Sequence, residues 1–202
     1  MNDLRKKYEI RFNEVLVPIA NQLEIEIKDV FSEVERIDRI VARAKSVDRF
    51  IEKAQKVIDD EPKYSDPLNQ IQDQIGARIV TFYKNDVERV SKEILKYFRH
   101  IEAKDLIPES ESEFGYFGKH YILLLPLDIT NTMTADIPPF FELQIKTLFQ
   151  HSWSEANHDL GYKPSENLSS DFKRKIAFTS AQAWGADEIF NELFNGLNQQ
   201  EK

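Results

Sequence analysis

Between Gly76 and Ile145 the hydrophobic residues leave helical spacing and fall into short β-branched and aromatic runs. Both ends of the chain keep a hydrophobic period of about 3.6, the mark of an amphipathic helix. A chain patterned this way must build a sheet from its middle and cover it with helices supplied from both ends. The runs Gly76–Tyr83, His100–Ile107, Tyr121–Leu125 and Phe140–Ile145 read as strands bounded by polar or turn-forming residues. Asn85-Asp86 offer a cap for a crossover helix ending near Tyr97. Upstream, Ile10, Phe12, Val15, Ile19, Leu23 and Ile27 mark a helix from Leu4 to Ile40, with a kink or boundary at Pro18. A loop over Val41–Ser46 and a second helix over Val47–Ile58 follow, ended by Glu61-Pro62-Lys63 and Asp66-Pro67. Helices at about Leu148–Asp159 and Ser170–Asn195 complete the order, which predicts an α/β or α+β sheet domain.

Composition removes several function classes. With no cysteine among 202 residues, disulfide scaffolds, thiolate metal sites and cysteine nucleophiles are excluded. The formal net charge of -8 disfavours broad binding to nucleic acid, since each phosphate contact needs a cation, but leaves room for one basic nucleotide pocket. The first residues lack the apolar run of a signal peptide, and the longest apolar stretch, Tyr121–Leu127, is strand-sized. The expected setting is cytoplasmic, with no membrane contact.

Two acidic residues stand among apolar neighbours. Asp73 precedes one strand and Glu142 lies within another. Across adjacent strands two carboxylates can hold Mg²⁺, or divide metal binding and proton abstraction between them. On spacing alone, ordinary pairing with a cation such as Arg78 or Lys146 is the favoured account of them. Arg43, Lys45, Lys53, Arg78 and Lys104 form a cationic set suited to a purine face and phosphates, or to a solvated helix face. No G-x-x-x-x-G-K-[ST] or G-x-G-x-x-G occurs, so phosphates would be held by side chains and metal, not by a glycine loop. His151, Glu155 and His158 share one helix face, but H-E-x-x-H is absent and a zinc site would lack a fourth ligand. His158 and Tyr162-Lys163 are expected to line or buttress a pocket and Trp153 to pack in the core, while Phe190 and Phe194, one helical turn apart, serve either an interface or, by default, the core.

In order along the chain, R-A-K-S-V-D-R-F-I-E-K (43–53), D-Q-I-G-A-R-I (73–79), K-D-L-I (104–107), G-Y-F-G-K-H (115–120), E-L-Q-I-K-T (142–147) and H-S-W-S-E-A-N-H-D-L-G-Y-K (151–163) resemble the synthetase domain of the RelA/SpoT family. The resemblance implies a nucleotidyltransferase-like fold, a mixed β-sheet flanked by helices. It also implies a stand-alone alarmone synthetase that moves pyrophosphate from ATP to the 3′-hydroxyl of GDP or GTP with Mg²⁺. The implied organisation is an N-terminal helical element over 1–40, a synthetase core over 41–165 and a C-terminal helical element over 166–202. By the same resemblance Asp73 binds the metal, while Glu142 activates the acceptor hydroxyl and also touches metal. Arg43 and Arg78 sandwich adenine, and Lys45, Lys53 and Lys104 hold ATP phosphates. Tyr116 stacks on the acceptor base, with His120, Gln144 and Lys146 lining the acceptor side.

Several positions depart from the family pattern: Arg49 for Ser, Leu106 for Tyr, an acidic Pro108–Phe114 where a Lys is usual, Phe117 and Gly118 for Arg and Ser, and Lys146 for Arg. Lys119 is placed to compensate for the missing arginine charge. The donor half is thus largely intact, with Arg49 changing its ATP-side loop, and the acceptor half is altered. This keeps open a toxin-type relative acting on an adenine nucleotide or the 3′ end of tRNA, for which Lys173-Arg174-Lys175 offers a basic run, and a catalytically dead nucleotide sensor. A neutralising protein partner or a homo-oligomer accompanies some relatives.

Overall fold

The computed structural model describes residues 2–106, 114–115, 118–131, 136–161 and 169–200. Two helices, α1 (Asn2–Arg11) and α2 (Val17–Val30), open the chain and are joined by a π-turn at Phe12–Leu16. The turn has a local cause. Pro18 has no N–H and its ring crowds the carbonyl four residues back, so the helix widens just before it, with Val17 N–H reaching Phe12 O. Pro18 therefore bends the helical path without ending it.

The next residues correct the expected loop at 41–46 and the expected helix through Ile40. Ile37–Ala44 form β1, an edge strand in which only Ile40 is buried. Ile37, Ala42 and Ala44 pack on the core only in part, and with small, helix-favouring Ala and Arg the period-2 signal of I-D-R-I-V-A-R-A is weak, so pairing with its neighbour decides its state. The helix expected to reach Ile58 stops earlier, as α3 (Val47–Ala54), before a small hairpin of β2 (Val57–Ile58) and β3 (Glu61–Pro62). Asp59 and Asp60 take positive φ values of 50° and 64° at its turn.

After α4 (Pro67–Gln70) come β4 (Ile75–Thr81), α5 (Lys84–Tyr97), β5 (His100–Leu106), β6 (Gly118–Leu124), α6 (Leu127–Thr130), β7 (Phe140–Thr147), α7 (Leu148–Gly161) and α8 (Ser170–Gln200). α5 begins one residue before the expected cap, and Asp86 in its first turn accepts the Tyr83 N–H at 3.3 Å. The five-stranded sheet runs β1-β4-β7-β6-β5, with β4 and β7 parallel and every other pair antiparallel.

Period-2 alternation gives the sheet two unlike faces. Ile75, Ala77 and Ile79 of β4, Tyr121 and Leu123 of β6, and Phe141, Leu143 and Ile145 of β7 join one buried cluster with Leu16, Ile19, Leu23 and Ile27 and with Val87, Val90 and Ile94 of α5. The alternate residues Gly76, Arg78, His120, Ile122, Glu142 and Gln144 form the other face, partly covered by α7. Among the described residues no helix is long and apolar enough to cross a membrane.

Candidate active site on the polar face of the sheet

Strand register assembles the site. One row across the sheet is Arg43, Gly76, Glu142, Ile122 and Glu102; the next is Val41, Arg78, Gln144, His120 and Lys104. Residues paired across strands share a face, so these rows set the arginines on one side of Glu142 and His120 on the other. Gly76 leaves a gap between Arg43 and Glu142, where an added Cβ would meet no atom within 4 Å.

Glu142 is held from both sides. His120 Nδ1 lies 3.2 Å from Oε1, and Gln144 Nε2 donates to Oε2 at 3.0 Å. Burial pushes the Glu142 pKa up, but the bonds from His120 and Gln144 and the charges of His120 and Lys45 outweigh it and hold the group below the ordinary carboxylate range. An ionised carboxylate only accepts, so His120 carries its hydrogen on Nδ1.

Asp73 sits in a short turn before β4, where Lys53 Nζ and Lys45 Nζ approach its Oδ2 at 2.7 and 3.0 Å. The cation pairing considered from sequence is realised, through these lysines and not through Arg78 or Lys146. Asp73 Oδ1 is buried without a hydrogen-bond partner. A hard anionic oxygen left over after two lysines are satisfied suits a divalent cation. Among the described residues no cluster of three or more His, Cys, Asp or Glu could hold a metal, so substrate oxygens would supply the remaining ligands.

Arg78 donates to Glu155 Oε1 at 2.6 Å, to His151 Nδ1 at 3.2 Å and to Gln144 Oε1 at 3.3 Å. Burial and the Arg78 charge hold His151 below its ordinary pKa, consistent with a neutral ring accepting from a guanidinium. His158 meets Arg49 Nη2 at 3.3 Å. The helix face that suggested zinc is thus turned toward two arginines, which a metal ion could not share.

Other expected positions move. Lys104 stands on edge strand β5, paired with Glu102 and four strands from Arg43, roughly 19 Å at the usual strand spacing. It flanks His120, on the far side of Glu142 from Arg43 and from Lys45 and Lys53, its companions in the expected phosphate-binding set. Lys146 is 2% exposed, under α7, with Nζ donating to Ser154 Oγ at 3.0 Å. Burial, then the Arg78 charge, push its pKa down to about 7. It supports the site from below and does not line an open acceptor pocket. Tyr116 and Tyr162-Lys163 lie outside the described residues. Trp153 is not in the core; its indole N–H donates to Thr179 Oγ1 on α8 at 3.1 Å. Phe190 stacks on Phe149, and Phe194 on Tyr83, at helix contacts outside the core.

Sequence reasoning missed two supports. Tyr8 donates to Lys45 O at 2.8 Å, and Arg11 donates to Gln74 Oε1 at 3.1 Å beside Asp73. Neither carries a local signal, because each acts across 37 or more residues.

A profile of the region found in RelA/SpoT proteins matches residues 42–167. The chain belongs to the RelA/SpoT family. It is 32% identical over 163 residues to GTP pyrophosphokinase YjbM of Bacillus subtilis (strain 168), covering 78% of this chain and 72% of that protein. It is also similar to the crystal structure of small alarmone synthetase 1 from Bacillus subtilis, with TM-score 0.78 and 26% identity over 94% of this chain and 99% of that one. The same synthetase bound to its product pppGpp gives TM-score 0.74 and 25% identity, over 93% and 98%. The geometry also reverses the compensating role expected of Lys119 in this RelA/SpoT chain. β6 turns it to the core face, where Glu88 and Asp105 hold it at 3.1 and 3.4 Å, so it cannot replace a cation beside His120.

Proposed function

We propose that this chain is a GTP pyrophosphokinase that transfers pyrophosphate from ATP to the 3′-hydroxyl of GDP or GTP, making (p)ppGpp. The observation that carries the reading is Glu142, an oriented carboxylate between a guanidinium pair and His120 on one sheet face of a RelA/SpoT chain. Arg43 and Arg78 flank the donor base, and Lys45 and Lys53 exchange Asp73 for donor phosphates when the nucleotide binds. His120 and Lys104 face the acceptor. Glu142 accepts the proton of the 3′-hydroxyl as O3′ bonds to the β-phosphorus; the bond from that phosphorus to the α–β bridging oxygen breaks, and AMP leaves with the oxygen. Asp73, through its spare Oδ1, and Glu142 would hold Mg²⁺, which when bound neutralises charge on the phosphates.

Incubation with ATP labelled at the γ position, offered GDP, GTP, ADP, ATP and bulk tRNA separately, tests the acceptor. Label on GDP or GTP with matching AMP release is expected. Label on an adenine nucleotide or on tRNA instead would replace guanine as acceptor and point to the toxin-type alternative, whereas ATP binding without transfer would point to a sensor. Glu142→Gln should lower turnover by about 10²–10⁴-fold while retaining ATP binding. Unchanged turnover would remove Glu142 from the base role.

A further inference from the structure

The first turn of α7 is fastened to the end of β7. Thr147 N–H donates to Gln150 Oε1 at 3.0 Å, and Gln150 N–H donates to Thr147 Oγ1 at 3.1 Å. Because strand and helix join without a linker, residues 151 and 155, one helical turn apart, are aimed at β4 with little freedom. Both meet Arg78 there, and the guanidinium is fixed by Glu155, His151 and Gln144 together, with the side chain only 17% exposed. Gln144 then donates to Glu142. A continuous hydrogen-bonded path therefore runs from Glu155 on α7 through Arg78 on β4 to Gln144 and Glu142 on β7.

We propose that Glu155 is a positioning residue for the donor nucleotide, holding the Arg78 guanidinium in the plane in which it meets the donor base opposite Arg43. The proposal rests on the reading of Arg78 as one face of the donor site. Its physical basis is ordering and charge. An arginine has several rotatable bonds, and one already locked by three partners loses less freedom when a base stacks on it. Two guanidinium groups flanking one slot also repel each other. Glu155 lies in the field of both: burial pushes its pKa up, but the hydrogen bond and charge of Arg78, with the charge of Arg43, outweigh that and hold it below the ordinary carboxylate range. A neutral or absent side chain at 155 leaves that repulsion uncompensated. An exposed ion pair alone would contribute little, and Glu155 is half-exposed. What separates it from an ordinary surface pair is that its partner is mostly buried and bonded onward to the group next to Glu142.

The test uses the full chain with Glu155→Ala, Glu155→Gln, Arg78→Ala and the double variant Arg78→Ala/Glu155→Ala. Melting temperatures serve as a control for folding. For each, binding of a non-hydrolysable ATP analogue is measured by calorimetry, and KM and kcat by AMP release. Glu155→Ala is expected to raise the analogue Kd and the ATP KM about 3–10-fold, with a much smaller change in kcat and in the acceptor KM. Glu155→Gln, whose amide oxygen still accepts from Arg78 but carries no charge, should fall between. In the Arg78→Ala background the second substitution should add nothing, because a double-mutant cycle closes when one residue acts only through the other. If Arg78→Ala weakens binding while Glu155→Ala does not, the pair is a surface contact and the proposal falls, with the donor-site reading intact. A loss confined to kcat, or an equal effect of Glu155→Ala without Arg78, also overturns it. Unchanged binding in Arg78→Ala itself overturns the donor-site reading, and the proposal with it.

Discussion

Asp187 on α8 is 3% exposed, and its Oδ2 accepts the Thr147 hydroxyl at 2.8 Å while Oδ1 has no partner. Burial pushes its pKa up to about 6, against the lowering pull of the Thr147 bond and of Lys84. The folded state therefore holds the proton more tightly than the unfolded chain. Stability associated with the protonated form is complete below the ordinary aspartate range, falls as pH rises toward about 6, and is fully lost above it. Asp187→Asn keeps an acceptor for Thr147 and removes the charge. It should stabilise the protein by about 2–3 kcal/mol at pH 7.5 and have little effect near pH 4. Urea unfolding at the two pH values reads this, and destabilisation at both would show that the carboxylate is a net favourable partner. Lys146 teaches the related lesson about what residues reveal. Alternation along E-L-Q-I-K-T places it on the functional face with Glu142 and Gln144, as expected, but only the packing of α7 shows that it is covered and bonded to Ser154.

Whole elements were legible where their own composition decided them. β4, β6 and β7 are apolar on one face and central in the sheet, so their β-branched runs match their state. β1 was not legible because its pairing with β4, and not its own side chains, makes it a strand. The site divides the same way: Asp73, Glu142, Arg43 and Arg78 follow from motif order, whereas the reversal of Lys119 and the edge position of Lys104 depend on register, a non-local property. α3 illustrates an element held by tertiary contact. At 8 residues it is too short to persist alone, and it is anchored by Phe50, fully buried and stacked on Tyr8 with centroids 3.6 Å apart and planes 4° from parallel. Phe50→Ala should cost about 3–5 kcal/mol in denaturant unfolding. Because Lys53 rides on the last turn of α3, the same variant should raise the ATP KM at a temperature where it remains folded. Normal stability together with normal KM would mean that α3 is held by contacts other than this stack.

Over the whole molecule, the boundary expected near residue 40 falls within one continuous buried cluster. The helices before β1 place Tyr8, Leu16, Ile19, Leu23 and Ile27 at 0% exposure in the same cluster as the inner face of the sheet. At about 2 kcal/mol for each fully buried side chain, their burial contributes on the order of 10 kcal/mol. That is comparable to the roughly 5–15 kcal/mol that separates a typical folded domain from its unfolded chain. Arg11 adds polar ties of long range, donating to Leu68 O at 2.7 Å and to Asp136 Oδ2 at 2.8 Å as well as to Gln74, so its removal with α1 takes a donor from the buried Gln74 Oε1 beside Asp73. A chain beginning at Arg36 keeps every strand of the five-stranded sheet and every residue given a direct role in transfer, yet it should not fold cooperatively. Near-ultraviolet circular dichroism should be lost, thermal unfolding should show no sharp transition, and pyrophosphate transfer should be absent. A truncated chain that melts sharply at the parent temperature would make the N-terminal helices an accessory layer. A sharp transition at a much lower temperature, with transfer retained, would instead show that the apolar inner face finds cover without them and that their burial is worth far less than its area suggests.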